Sequence, residues 1–144
     1  MKAKLASLVK IAKQKLQEEE RMLARNQILI ARKREQIDCI NAQIAAIPIP
    51  TAGNFSLYQN QKAGIQAYLY EIEEIQKQIA LLLKEQEMIR QNMRLAHLNH
   101  EKMLHVYNQE KEKQENYLKT LENKQLDENT LILHSRTKRD YSRS

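Results

Sequence analysis

Three histidines, His97, His100 and His105, sit in one short stretch, and they are the first place to look for metal or proton chemistry. Imidazoles share a metal ion only when they converge from one face. His97 and His100 lie three apart, but the heptad register described below turns His105 toward solvent, so the three make a poor common ligand set. His100 reads instead as a histidine at the end of a core, its ring partly wet. The single cysteine, Cys39, has no internal disulfide partner and falls on the outer face of its helix, where it reads as a solvent-facing spectator. The acidic residues lie on solvated helix faces with no cleft to raise a carboxyl pKa, and neither a glycine-rich phosphate loop nor a nucleophile motif is present. The chain is therefore expected to have no catalytic, cofactor or metal site and not to be an enzyme.

The other chemistry on offer is positive charge. Residues 1–47 carry ten basic and five acidic side chains, and residues 129–144 carry four basic and one acidic, within a net charge of +6. Arg32-Lys33-Arg34 form a run, and the first fifteen residues contain five lysines and no acid. Nucleic-acid binding is not expected from this, because stacking aromatics are scarce and the basic residues do not line one long helix face. The lysines at 2, 4, 10, 13 and 15 also break every apolar run in Met1 to Leu16. No signal peptide, membrane span or direct membrane insertion is expected, and the location expected is the cytoplasm.

Something long and helical must carry these residues. The chain has 144 residues with two Gly, two Pro, no Trp and one Phe, which leaves little to fill a broad core. Sevens counted from Ile65 give Ile72, Ile79, Gln86, Met93, His100 and Tyr107; from Tyr68 they give Ile75, Leu82, Ile89, Ala96 and Met103. Six heptads of alternating three and four spacing, without Gly or Pro, define a helix whose apolar seam faces another helix. An earlier helix, about Leu5 to Ile47, has one continuous seam at Val9, Leu16, Leu23, Ile30, Ile37 and Ile44. Its companion seam, Leu5, Ala12, Glu19, Asn26, Lys33, Ile40 and Ile47, is polar in the middle.

Pro48-Ile49-Pro50 ends the first helix by fixing backbone dihedrals and removing donors. The second is expected to restart near Asn54 or Ser56, where Ser56 and Gln59 fit a capping box, and to run to about Glu128. The fold class expected is all-α: a long antiparallel two-helix coiled-coil hairpin, second helix longer than the first, forming a single domain over 1–144. Its parts are helix one at about 5–47, a loop at 48–55, helix two at about 56–128 and a flexible basic tail at 129–144.

Two alignments of the seams are open. The preferred one sets Ile37 against Tyr68, Ile30 against Ile75, Leu23 against Leu82, Leu16 against Ile89 and Val9 against Ala96, with Glu19 meeting Gln86. A slip of one heptad sets Asn26 against Gln86 and calls for a longer loop. With the preferred alignment, helix two overhangs its partner from about Leu104 by roughly 25 residues, about 37 Å. That overhang keeps Leu104, Tyr107, Tyr117, Leu118 and Leu121, a stripe that another molecule could complete.

The basic amphipathic first helix, the short break, the aromatic restart at Phe55, Tyr58 and Tyr68, the Gln- and Glu-rich heptad helix and the Leu126-Asp127-Glu128 step before a basic tail together resemble the FliJ family of the flagellar type III export apparatus. Injectisome stalk proteins are a similar, more diverged group. The resemblance covers most of the chain through short motifs, and Asn129-Thr130 depart from it. It implies a coiled coil similar to the terminal helices of the rotary ATP synthase gamma subunit, and a non-enzymatic stalk and chaperone-escort role peripheral to the export apparatus at the inner membrane. The implied partners are the export ATPase hexamer, the cytoplasmic part of the export gate membrane protein, and export chaperones. By the same likeness, Leu5, Leu8, Tyr107, Tyr117 and Leu121 would engage the ATPase ring. Phe55, Tyr58, Tyr68, Ile72 and Ile75 would lie nearest the gate-binding region, although the last three also belong to the expected core. The alternative is a structural coiled-coil adaptor that self-associates through the overhang.

Overall fold

A computed structural model describes residues 2–48 and 55–143, with side chains described for 3–48 and 55–136. Two helices account for nearly all of it: α1, Lys2–Ala45, and α2, Phe55–Arg143. The protein is all-α, an antiparallel two-helix coiled coil with the second helix the longer, as the heptads predict. Contacts group the residues into two compact units, Lys13–Leu98 in one and Met1–Ala12 with Asn99–Ser144 in the other.

Solvent exposure follows the two seams closely. From Ala3 to Ala45 the only residues not exposed are 5, 9, 12, 16, 19, 23, 26, 30, 33, 37, 40 and 44, which are the two seam rows of α1. From Ile65 to Glu110 the seam rows of α2 are covered in the same way, with Glu74 the one addition. Cys39 is exposed, as its register position requires.

Within the Lys13–Leu98 unit, buried Ile40, Ile72 and Ile75 form the core, and Ile37, Ile44, Tyr68 and Ile79 pack against them. Fully burying an isoleucine is worth about 1.5–3 kcal/mol through area removed from water, which is an upper bound for each of these three. This cluster corrects the preferred alignment, in which Ile40 would meet Ile65 and Ile72 would meet Lys33. It matches the slipped alignment, with Ile40 level with Ile72, Ile37 with Ile75 and Ile44 with Tyr68. The hydrogen bond from Asn26 Nδ2 to the Leu82 carbonyl, 2.9 Å, agrees. A helical carbonyl projects toward the residue four places on, so this contact puts Asn26 beside Gln86. The assumption of a short loop was at fault. In the slipped alignment Ala45 lies level with residue 67, about 18 Å along the axis from the start of α2. The nine residues between the helices can reach about 30 Å, and the slip replaces Gln61 by Tyr68 as the neighbour of Ile44.

The end of α1 tightens where Pro48 forbids another turn. The Ala46 N–H donates to the Ala42 carbonyl at 3.0 Å and the Ile47 N–H to the Ile44 carbonyl at 3.1 Å, the second a three-residue step typical of a closing helix. Ser56 lies inside α2 rather than ahead of it, so it is not the cap, and position 54 falls outside the described residues. Gly64 has no close neighbour that an added Cβ would meet. Gly64→Ala should therefore stabilise α2 by about 0.5–1 kcal/mol, visible as a higher melting temperature by circular dichroism. A lower one would mean that helix packing at this point needs the missing side chain.

The second helix does not stop near Glu128. Asn129 and Thr130 cost the helix only about 0.7 kcal/mol each at most, and no Gly or Pro follows Gly64 to end it. The Thr130 hydroxyl donates to the Leu126 carbonyl at 2.8 Å, just as Thr120 does to Asn116, so both side chains sit within the helical ladder. The span expected to be a flexible tail is drawn into α2.

Candidate functional site: two contact surfaces on a coiled coil

Among the described residues no group of three or more His, Cys, Asp or Glu is arranged to hold a metal ion. His100 is half-buried at its seam position, while His97 and His105 are exposed. The side chains that remain to be placed are those of the two contact surfaces expected from the sequence, and they divide between the two compact units.

Leu5, Leu8, Tyr107, Tyr117 and Leu121 all belong to the unit formed by Met1–Ala12 and Asn99–Ser144. Leu5 and Tyr107 are half-buried seam residues. Tyr117 is 65% exposed, Leu121 42% and Leu8 40%, so these three present apolar surface to solvent. The change in character along α2 is abrupt: Glu110 is the last residue that is not exposed, and every described side chain from Lys111 to Arg136 is exposed. Internal coverage thus ends about two turns beyond the expected position. The cause is the heptad slip, which carries the coverage of α2 further along.

That exposed stretch also holds apolar residues that sequence reasoning left out. Leu126, Leu131, Ile132 and Leu133 are all exposed, and Leu131 and Ile132 line a shallow depression with Ser135 and Arg136. The signal was present as a Leu-Ile-Leu run followed by basic residues. It lies in the span that the sequence reading assigns to a flexible basic tail, at 129–144.

Phe55, Tyr58, Tyr68, Ile72 and Ile75 all belong to the Lys13–Leu98 unit, but they fall into two kinds. Ile72 and Ile75 are buried core, and Tyr68 packs against them. Phe55, at 72%, and Tyr58, at 53%, face solvent. Tyr58 lines an apolar groove of about 440 Å³ together with Ile47, Pro48, Gln61, Lys62, Ile65 and Leu69. The chain forms this groove by laying the proline-terminated end of α1 against the first turns of α2.

The seam contains the strongest electrostatic features. Glu19 and Asn26 are each 3% exposed. Glu19 pairs with Lys15 one turn earlier, Nζ to Oε1 at 3.2 Å, and the lysine itself is largely in water. Glu19 Oε2 and Asn26 Oδ1 have no hydrogen-bond partner. A buried acceptor left unpaired costs about 1–3 kcal/mol, so these two positions lower the stability of the zipper while restricting how it can align.

This arrangement defines a class: a long two-helix coiled coil that presents exposed apolar side chains on both of its units. The model of the flagellar FliJ protein family matches residues 1–139, and the chain belongs to that family. It is accordingly a component of the flagellar export apparatus. No curated protein and no solved structure matches it significantly. Among the described residues no helix is long and apolar enough to cross a membrane.

Proposed function

We propose that this protein is a non-enzymatic stalk and chaperone-escort component that binds the export ATPase ring through one unit and the cytoplasmic part of the export gate through the other, from a cytoplasmic position peripheral to the export apparatus. One observation carries the reading. The five residues assigned to the ATPase ring fall in one compact unit and the five assigned to the gate fall in the other, and each unit exposes part of its set: Leu8, Tyr117 and Leu121 in the first, Phe55 and Tyr58 in the second. The exposed side chains of α2 beyond Glu110 support the ATPase assignment, because a long helix with Tyr117, Leu118 and Leu121 in water gains most from enclosure by a partner. Its neighbours Lys111, Glu112, Lys113 and Glu115 keep it soluble when the partner is away.

Mixing the purified protein with its cognate export ATPase should give co-elution in size-exclusion chromatography and a changed rate of ATP hydrolysis. If neither appears across a range of concentrations, the ATPase assignment is wrong. Should the protein then elute as a concentration-dependent dimer, the self-associating adaptor becomes the better reading.

A further inference from the structure

The seam of α1 and α2 fits together in two ways, and we infer that the coiled coil of the Lys13–Leu98 unit is a two-register device. In it Gln86 exchanges Asn26 for Glu19 when the helices slide past one another by one heptad. The observations are two buried acceptors without partners on one seam row, Glu19 Oε2 and Asn26 Oδ1, and the bond that holds Asn26 to the Leu82 carbonyl. Glu19 and Asn26 are seven residues apart on one seam row, and Gln86 is the only polar residue of the facing rows between Ile65 and Met93. One of the two can sit level with Gln86 at a time. The structure has Asn26 there, leaving half of the Glu19 carboxylate in an apolar setting.

Sliding by one heptad brings Glu19 level with Gln86, whose amide N–H groups can donate to that carboxylate. It displaces Asn26 to the level of Ile79, so the polar penalty moves from one position to the other. The apolar layers survive the move: Leu23 exchanges Ile89 for Leu82, Ile30 exchanges Leu82 for Ile75, and Ile37 exchanges Ile75 for Tyr68. A full heptad preserves which seam row faces which, so no side chain is turned outward. The relative displacement is about 10 Å, and the connection has the reach for both states, since the observed register asks more of it than the other does. A packed seam with two discrete arrangements is the kind of element that can pass a change at one place along a helix pair to another. This inference does not depend on which partners the surfaces bind.

Disulfide trapping in the full-length chain tests it, in a Cys39→Ser background. Ile30→Cys with Leu82→Cys reports the observed register, Leu23→Cys with Leu82→Cys reports the other, and Leu16→Cys with Leu82→Cys, two heptads out of line, reports fraying alone. Intramolecular cross-links are counted by mass under mild oxidation. The Ile30 pair should close fastest. The Leu23 pair should close more slowly, consistent with a state populated at about 0.1–10%, yet clearly faster than the Leu16 pair. Asn26→Leu should accelerate the Leu23 pair, and Glu19→Leu should slow it. A Leu23 pair no faster than the Leu16 pair in every background overturns the inference, as does a rate that neither substitution moves.

Discussion

Replacing Tyr117 and Leu121 together by alanine should weaken binding to the export ATPase by about 30-fold or more while leaving the helix content unchanged. The magnitude follows from interface energetics, where an aromatic anchor and its neighbour typically cost about 2 kcal/mol or more on truncation. The specificity follows from the structure. Both side chains lie beyond Glu110, where α2 is exposed on all sides, and neither contributes to the seam. Alanine is also the best helix former, so local propensity rises rather than falls. Isothermal titration would read the affinity and far-ultraviolet circular dichroism the helicity. Unchanged affinity with unchanged helicity would remove these residues from the ATPase surface and direct attention to Leu126, Leu131 and Ile132, which are equally exposed.

The helices and their seams were legible because a heptad is a repeated signal: each of six repeats votes for the same face, and the exposure of α1 and α2 follows that vote residue by residue. Register was harder to read. It depends on a few non-repeating positions, and here Gln86 matches Asn26 and Glu19 about equally well, so the decision fell to loop length, a quantity that chain reach constrains only from above. The C-terminal extent of α2 was misjudged for a related reason. Intrinsic propensity at Asn129 and Thr130 is a weak local term, and a helix that has already paid its nucleation cost propagates through it. The contact residues were legible in part. Heptad counting separated Ile72 and Ile75, which must be core, from Phe55 and Tyr58, which need not be, but it could not say which exposed residues meet a partner.

That separation yields the second large effect. Ile72→Ala and Ile75→Ala should each destabilise the protein by about 2–5 kcal/mol, the usual cost of deleting a buried isoleucine side chain and leaving a cavity, because both lie at the centre of the Ile40 cluster. The loss should show as a lower denaturant midpoint. Phe55→Ala and Tyr58→Ala should leave that midpoint nearly unchanged, since both rings are more than half exposed and surface substitutions away from special features usually stay within about 0.5 kcal/mol. Gate binding should divide the other way. If Phe55 and Tyr58 contact the gate, their alanine variants weaken it at full stability. The Ile72 and Ile75 variants then weaken it only under conditions where the coiled coil itself opens, so restoring the fold at lower temperature or with a stabilising change such as Gly64→Ala should restore binding. A fully folded Ile72→Ala protein that fails to bind the gate would show that the buried row is read directly by the partner, which would require the hairpin to open when it docks.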